Sequence, residues 1–126
     1  MKPRPNAGVV SWLAEVDEDR TFLSVITLTE LRHGIERMAH SGRKGQLEQW
    51  LQDELPERFE SRILPIDAVI ADQCGRLVAR SEALGRRMEA MDAFLAATAQ
   101  VHRLAIVTRN TSHFQPVLDD VMNPWR

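Results

Sequence analysis

The chain has 126 residues, enough for one domain at ~150 residues per domain and for a core that needs no covalent staples. Hydrophobic residues at 44% and charged residues at 27% exclude wholesale disorder. Basic residues number 16 and acidic residues 18, and the resulting charge of −2 excludes a protein that coats nucleic acid by bulk electrostatics. Contact with nucleic acid must therefore be local, through a patch or a metal ion. The single cysteine, Cys74, excludes an internal disulfide and a cysteine-based zinc site, and reads as a small core residue. No apolar run approaches the ~20 residues that span a bilayer. No signal-peptide stretch follows the basic start Met1-Lys2-Pro3-Arg4-Pro5. The expected setting is a reducing cytoplasm without a membrane partner.

Asn6 is placed to cap a first helix over about 7–16, with Val9, Val10 and Leu13 on one face. The β-rich run Thr21 to Ile26 predicts a strand buried on both sides. Thr27-Leu28-Thr29-Glu30 then opens a helix through Leu31, Ile35 and Met38, which Gly42 is expected to break. A further helix is predicted over about 44–55 and limited by Pro56. Arg62 to Ile66 predicts a second strand. Asp67 caps a long helix carrying Val69, Cys74, Leu77, Val78 and Leu84, with Gly85 as its stop. Asp92 begins the next helix, which ends near His102. Leu104 to Thr108 predicts a third strand, followed by a short turn or helix around His113 and Phe114. Val121 to Pro124 predicts a closing edge strand.

Alternating strands and helices, with apolar strands that do not alternate, predict a single α/β domain over residues 1–126 around a mostly parallel sheet. Right-handed crossovers bring the C-terminal strand ends to one edge, where ligands sit in such sheets. Three polar residues fall near that edge: Glu30 past Ile26, Asp92 ahead of the third strand, and Asn110 two residues past Thr108. Two carboxylates and an amide oxygen are hard donors of the kind that suit Mg²⁺ or Mn²⁺. Each residue also has a plainer reading. Thr27-x-x-Glu30 matches a helix capping box, the favoured reading of Glu30 on its own. Asp92 suits a helix N-terminus as a counter-charge, and Asn110 suits a turn. His33, His40, His102 and His113 lack zinc-site spacing. No phosphate-cradling glycine loop and no serine nucleophile elbow is present. Arg32, Arg86 and Arg87 could touch phosphate but are favoured as part of a solvated face, and Trp12, Trp50 and Trp125 read as core or interface anchors.

The run Phe22 to Ile35, then Arg62 to Asp67, Asp92 to Ala97, Val107 to Asn110 and Val121 to Trp125 together resemble PIN-domain proteins of the VapC/FitB-like plasmid-stability toxin type. The motifs occur in order with fitting spacing and cover nearly the whole chain. The resemblance implies a three-layer α/β/α fold and a Mg²⁺-dependent endoribonuclease, the toxin of a type II toxin-antitoxin pair. It further implies an RNA substrate, a homodimer and a small cognate antitoxin that silences it. The family's acidic site maps onto Glu30, Asp92 and Asn110, the last a tolerated variant of Asp, with Thr108 as the hydroxyl residue beside it.

The sequence departs from the family in two places. The family's first, central strand ends in a Leu-Asp-Thr-Asn type motif whose Asp is a metal ligand, and no such segment precedes Lys2-Pro3-Arg4-Pro5. The expected sheet is therefore without that strand and the site without that ligand. This opens a second reading, a catalytically inactive PIN-fold protein that binds an antitoxin or a dimer partner. The other departure is Glu89-Ala90, where the family often has glycine and a hydroxyl residue. Glu89 is then either a substitute carboxylate or, as expected, solvent-facing.

Overall fold

Two-residue strands and the helices between them make up the computed structural model, which describes residues 21–107, Phe114 and residues 121–122. The predicted helix over 7–16, Trp12, Thr108, Asn110, His113 and Trp125 lie outside the described residues. The chain divides into two compact units, Met1–Pro65 and Ile66–Arg126.

In the first unit, β1 (Leu23–Ser24) leads directly into α1 (Val25–Glu36). The helix α2 (Gly42–Gln49) continues through a π turn (Trp50–Glu54) into α3 (Leu55–Arg58), and β2 (Ile63–Leu64) follows. The strands β1 and β2 pair in parallel, Leu23 opposite Ile63 and Ser24 opposite Leu64. A parallel pair cannot be closed by a tight hairpin, so the helices between them are the crossover that this pairing requires. Their apolar stripes meet in one cluster of Leu23, Leu31, Ile35, Leu47, Leu51, Leu55 and Phe59. The guanidinium groups of Arg58 and Arg62 lie 5.8 and 5.3 Å from the centre of the Phe59 ring. They cover its faces with cations rather than with further apolar groups.

The helix boundaries of this unit differ from the expected ones for local reasons. The strand predicted over Thr21 to Ile26 ends at Ser24, because the Ser24 hydroxyl accepts the Ile26 N–H at 3.0 Å and starts the helix there. Both residues of β1 are buried, as expected. Gly42 begins α2 instead of merely breaking a helix, since Ser41 Oγ accepts the Lys44 N–H at 3.1 Å. Pro56 does not end its helix. The π turn ahead of it carries the Leu55 N–H to the carbonyl of Trp50, five residues back. That wider turn accommodates a ring that would otherwise crowd the carbonyl four residues earlier.

The second unit contains α4 (Ala68–Ala83), α5 (Ala90–His102), β3 (Ile106–Val107) and β4 (Val121–Met122). The strands β3 and β4 are parallel, with Ile106 opposite Val121 and Val107 opposite Met122, so the predicted closing strand is present. The helices α4 and α5 form a hairpin. Gln73 Nε2, near the start of α4, donates to Gln100 Oε1, near the end of α5, at 2.6 Å. Between them Ile70, Cys74 and Leu77 pack with Ala93, Ala96, Ala97 and Phe114. The alanines present no bulk beyond Cβ, so the helices can approach closely. Burial pushes the Cys74 thiol above its ordinary pKa, which suits an inert core residue.

Asp67 caps α4 as predicted, its Oδ1 accepting the Ile70 N–H at 2.9 Å. Val69 and Leu84 are 62% and 60% exposed, while Ile70 is fully buried. Ile70, Cys74 and Leu77 recur on one side at helical spacing and pack against α5, with Val69 one residue off that face. The end of α4 is a Schellman motif. Gly85, at φ 73°, donates to the Glu82 carbonyl, and Arg86 N–H donates to that of Ser81 at 2.9 Å. Among the described residues no helix is long and apolar enough to cross a membrane.

A Cβ at Gly85 would meet no atom within 4 Å, so only its left-handed backbone opposes substitution. Gly85→Ala is therefore expected to lower stability by about 1 kcal/mol, read as a reduced urea midpoint with an unchanged slope.

Candidate functional site

The candidate carboxylates stand on two helices of different units. Glu30 is the sixth residue of α1, in its second turn rather than its first, and is exposed. This corrects the capping-box reading. The N-cap is Ser24, not Thr27, and Thr27 already lies inside the helix. Thr29 Oγ1 donates to the Val25 carbonyl at 3.2 Å, a contact one full turn back that needs helical backbone from Val25 onward. A carboxylate at residue 30 is therefore not needed to close the helix start. The missed signal was Ser24 itself, a strong N-cap residue hidden in a run read as strand.

Asp92 is the third residue of α5, in the first turn as expected, and is half-buried. Glu89 occupies the N-cap position with extended backbone, makes no capping bond through its side chain, and is exposed. Asp92 is thus the acid of the first turn, where a negative charge is favoured by the exposed N–H groups of the helix end. Both readings of Asp92, counter-charge and ligand, use this same placement. Asn110 and Thr108 lie outside the described residues, so neither is placed. Among the described residues, no three His, Cys, Asp or Glu side chains gather as a metal site. The donor set itself, two carboxylates and an amide oxygen, remains of the hard class that Mg²⁺ accepts alongside water.

The arginines divide by environment. Arg32 lies 3.5 Å from Glu36 and 3.8 Å from Glu48, so its charge is shared with carboxylates of α1 and α2. Arg86 and Arg87 are exposed on the connection between α4 and α5.

The family model of the PIN domain matches residues 1–117. The chain belongs to the PIN-domain family. Within it, the chain is of the VapC/FitB-like toxin type. It is 34% identical to Toxin FitB of Neisseria gonorrhoeae over 99% of this chain and 90% of that protein. It is 31% identical to VapC ribonuclease Y4jK of Sinorhizobium fredii over 98% of this chain and 89% of that protein. The crystal structure of FitAcB from Neisseria gonorrhoeae superposes with a TM-score of 0.83 at 34% identity, covering 98% of this chain and 89% of that one. A member of the VapBC family of toxin-antitoxin systems, VapBC-5 from Mycobacterium tuberculosis, shares the fold with a TM-score of 0.67 at 24% identity, covering 86% of this chain and 89% of that one. These likenesses, with the parallel pairings, assign the three-layer α/β/α PIN-like fold.

The Ser24 cap of α1 has a measurable consequence. Ser24→Ala should lower stability by about 1 kcal/mol and Thr27→Ala by less than about 0.5 kcal/mol in chemical denaturation.

Proposed function

We propose that this protein is a metal-dependent endoribonuclease, the toxin of a type II toxin-antitoxin pair, which hydrolyses RNA phosphodiesters. The observation that carries this reading is the likeness, along nearly the whole chain, to a PIN-family toxin and to a VapC ribonuclease. Exposed Glu30 and first-turn Asp92 support it, since both carboxylates stand on helices that position them. Glu30 and Asp92 would supply carboxylate oxygens and Asn110 an amide oxygen to Mg²⁺ or Mn²⁺, with Thr108 supporting Asn110. The ion, when bound, provides an activated water and stabilises negative charge on the phosphodiester. Each carboxylate stands on its own helix, Glu30 on α1 and Asp92 on α5. The partners of this reading are a cognate antitoxin that silences the site and a second copy of the chain, and its compartment is the cytoplasm.

Ribonuclease activity in Mg²⁺ should fall in Glu30→Gln and in Asp92→Asn by more than the ~10–100-fold that loss of an outer-shell group brings. Cleavage unchanged in both variants would overturn the site. Titration calorimetry with Mn²⁺ should show binding to the parent chain and its loss in Asp92→Asn. A parent chain that neither cleaves RNA nor binds Mn²⁺ would instead be an inactive PIN-fold protein that binds an antitoxin or a dimer partner.

A further inference from the structure

The connection between α4 and α5 is short, and it is held rigidly on both sides of two arginines. On the near side, the Schellman turn fixes the Arg86 backbone. Its N–H donates to the Ser81 carbonyl at 2.9 Å, and the Ser81 hydroxyl donates to the Arg86 carbonyl. Ser81 is itself buried, at 5% exposure, so this anchor belongs to the packed helix and not to the surface. On the far side, Met88 packs against the core of the second unit. Between these anchors Arg86 and Arg87 are exposed. Neither forms an ion pair among the described residues, in contrast to Arg32 with its two glutamates.

These arginines share one end of the helical hairpin with Asp92. The Gln73–Gln100 contact places the start of α4 beside the end of α5, so the end of α4 and the start of α5 lie together. Only five residue steps separate Arg87 from Asp92, at most ~18 Å even if fully extended. The true span is shorter, because Ala90 to Asp92 are helical. Two guanidinium groups, always charged and shaped for phosphate oxygens, are thus presented close to a candidate ligand carboxylate in a chain whose net charge is −2. A chain with no bulk attraction for a polyanion needs a local one.

We propose that Arg86 and Arg87 grip the phosphate backbone of the RNA next to Asp92; the proposal rests on the ribonuclease reading above. The pair acts as a positioning element and takes no part in the bond-breaking step. Its contacts are to phosphate and carry no sequence information by themselves. The rigid turn matters because it presents the arginines with little backbone entropy left to lose on binding.

The test uses the full chain and a short fluorescein-labelled single-stranded RNA of mixed sequence, with chelator present so that no cleavage occurs. Anisotropy gives Kd for the parent, for R86Q/R87Q and for R86K/R87K across a range of KCl. Each phosphate contact on single-stranded nucleic acid contributes about 0.7 to the slope of log Kd against log salt. Two lost contacts should flatten the slope by about 1.4, so that between ~50 and ~200 mM salt the parent loses ~7-fold more affinity than R86Q/R87Q. The Lys pair should keep most of the parental slope. With Mg²⁺ added, R86Q/R87Q should raise KM and leave kcat near the parental value. Parental slope and KM in R86Q/R87Q, alongside a parent chain that binds and cleaves RNA, would overturn this proposal and leave the ribonuclease reading standing. A parent chain with no affinity for RNA would overturn both. The thermal midpoint of R86Q/R87Q should match the parent, since both side chains are exposed.

Discussion

Parallel pairing is the constraint from which the rest of this structure follows. The strands β1 with β2, and β3 with β4, run side by side in the same direction, and each pairing is only two residues long. Such short ladders supply few hydrogen bonds, and parallel neighbours need a long crossover between them. Between β1 and β2 that crossover is helical, and in both units helix faces supply most of the buried apolar cluster. In the first unit the burial centres on Ile35, Leu55 and Phe59, and in the second on Ile70, Leu77 and the alanines of α5. The strands set direction, and the helix faces hold them there.

Side-chain caps then decide where each helix starts, and packing decides which of its faces reaches solvent. Ser24, Ser41 and Asp67 each accept a backbone N–H at a helix start. The helix α1, which starts at Ser24, buries Leu31 and Ile35 in the core of the first unit and leaves Glu30 outside. The helix α4, which starts at Asp67, buries Ile70 against α5 and leaves Val69 outside. The same logic governs the hairpin turn. Gly85 takes the left-handed backbone that ends α4, and Ser81 ties the following residue back to the helix. Two arginines are thereby left exposed near the start of α5.

Where the sequence could be read correctly, the signal was local. Asp67 and Gly85 bracket α4 because a carboxylate cap and a positive-φ glycine act on their immediate neighbours. Asp92 lies in the first turn of its helix for the same reason. Where the reading went astray, two local signals competed. Ser24 stands in a β-rich run, so strand propensity and capping pointed different ways, and the cap prevailed. Pro56 signals a helix end, yet the π turn before it lets the helix run on, and its neighbours Leu55 and Phe59 are fully buried in the core. Burial of those side chains outweighs a turn of wider geometry.

The residue types themselves determined the alternating α/β order, the family and the hard-oxygen character of the candidate ligands, because each depends on chemistry read within a few residues or on motif order. Tertiary structure alone decided which of those residues face solvent. It buried Leu31, Ile35 and Ile70 and left Glu30, Val69, Arg86 and Arg87 facing outward. These outcomes depend on helix phase and on packing between segments distant in sequence, which no local pattern specifies.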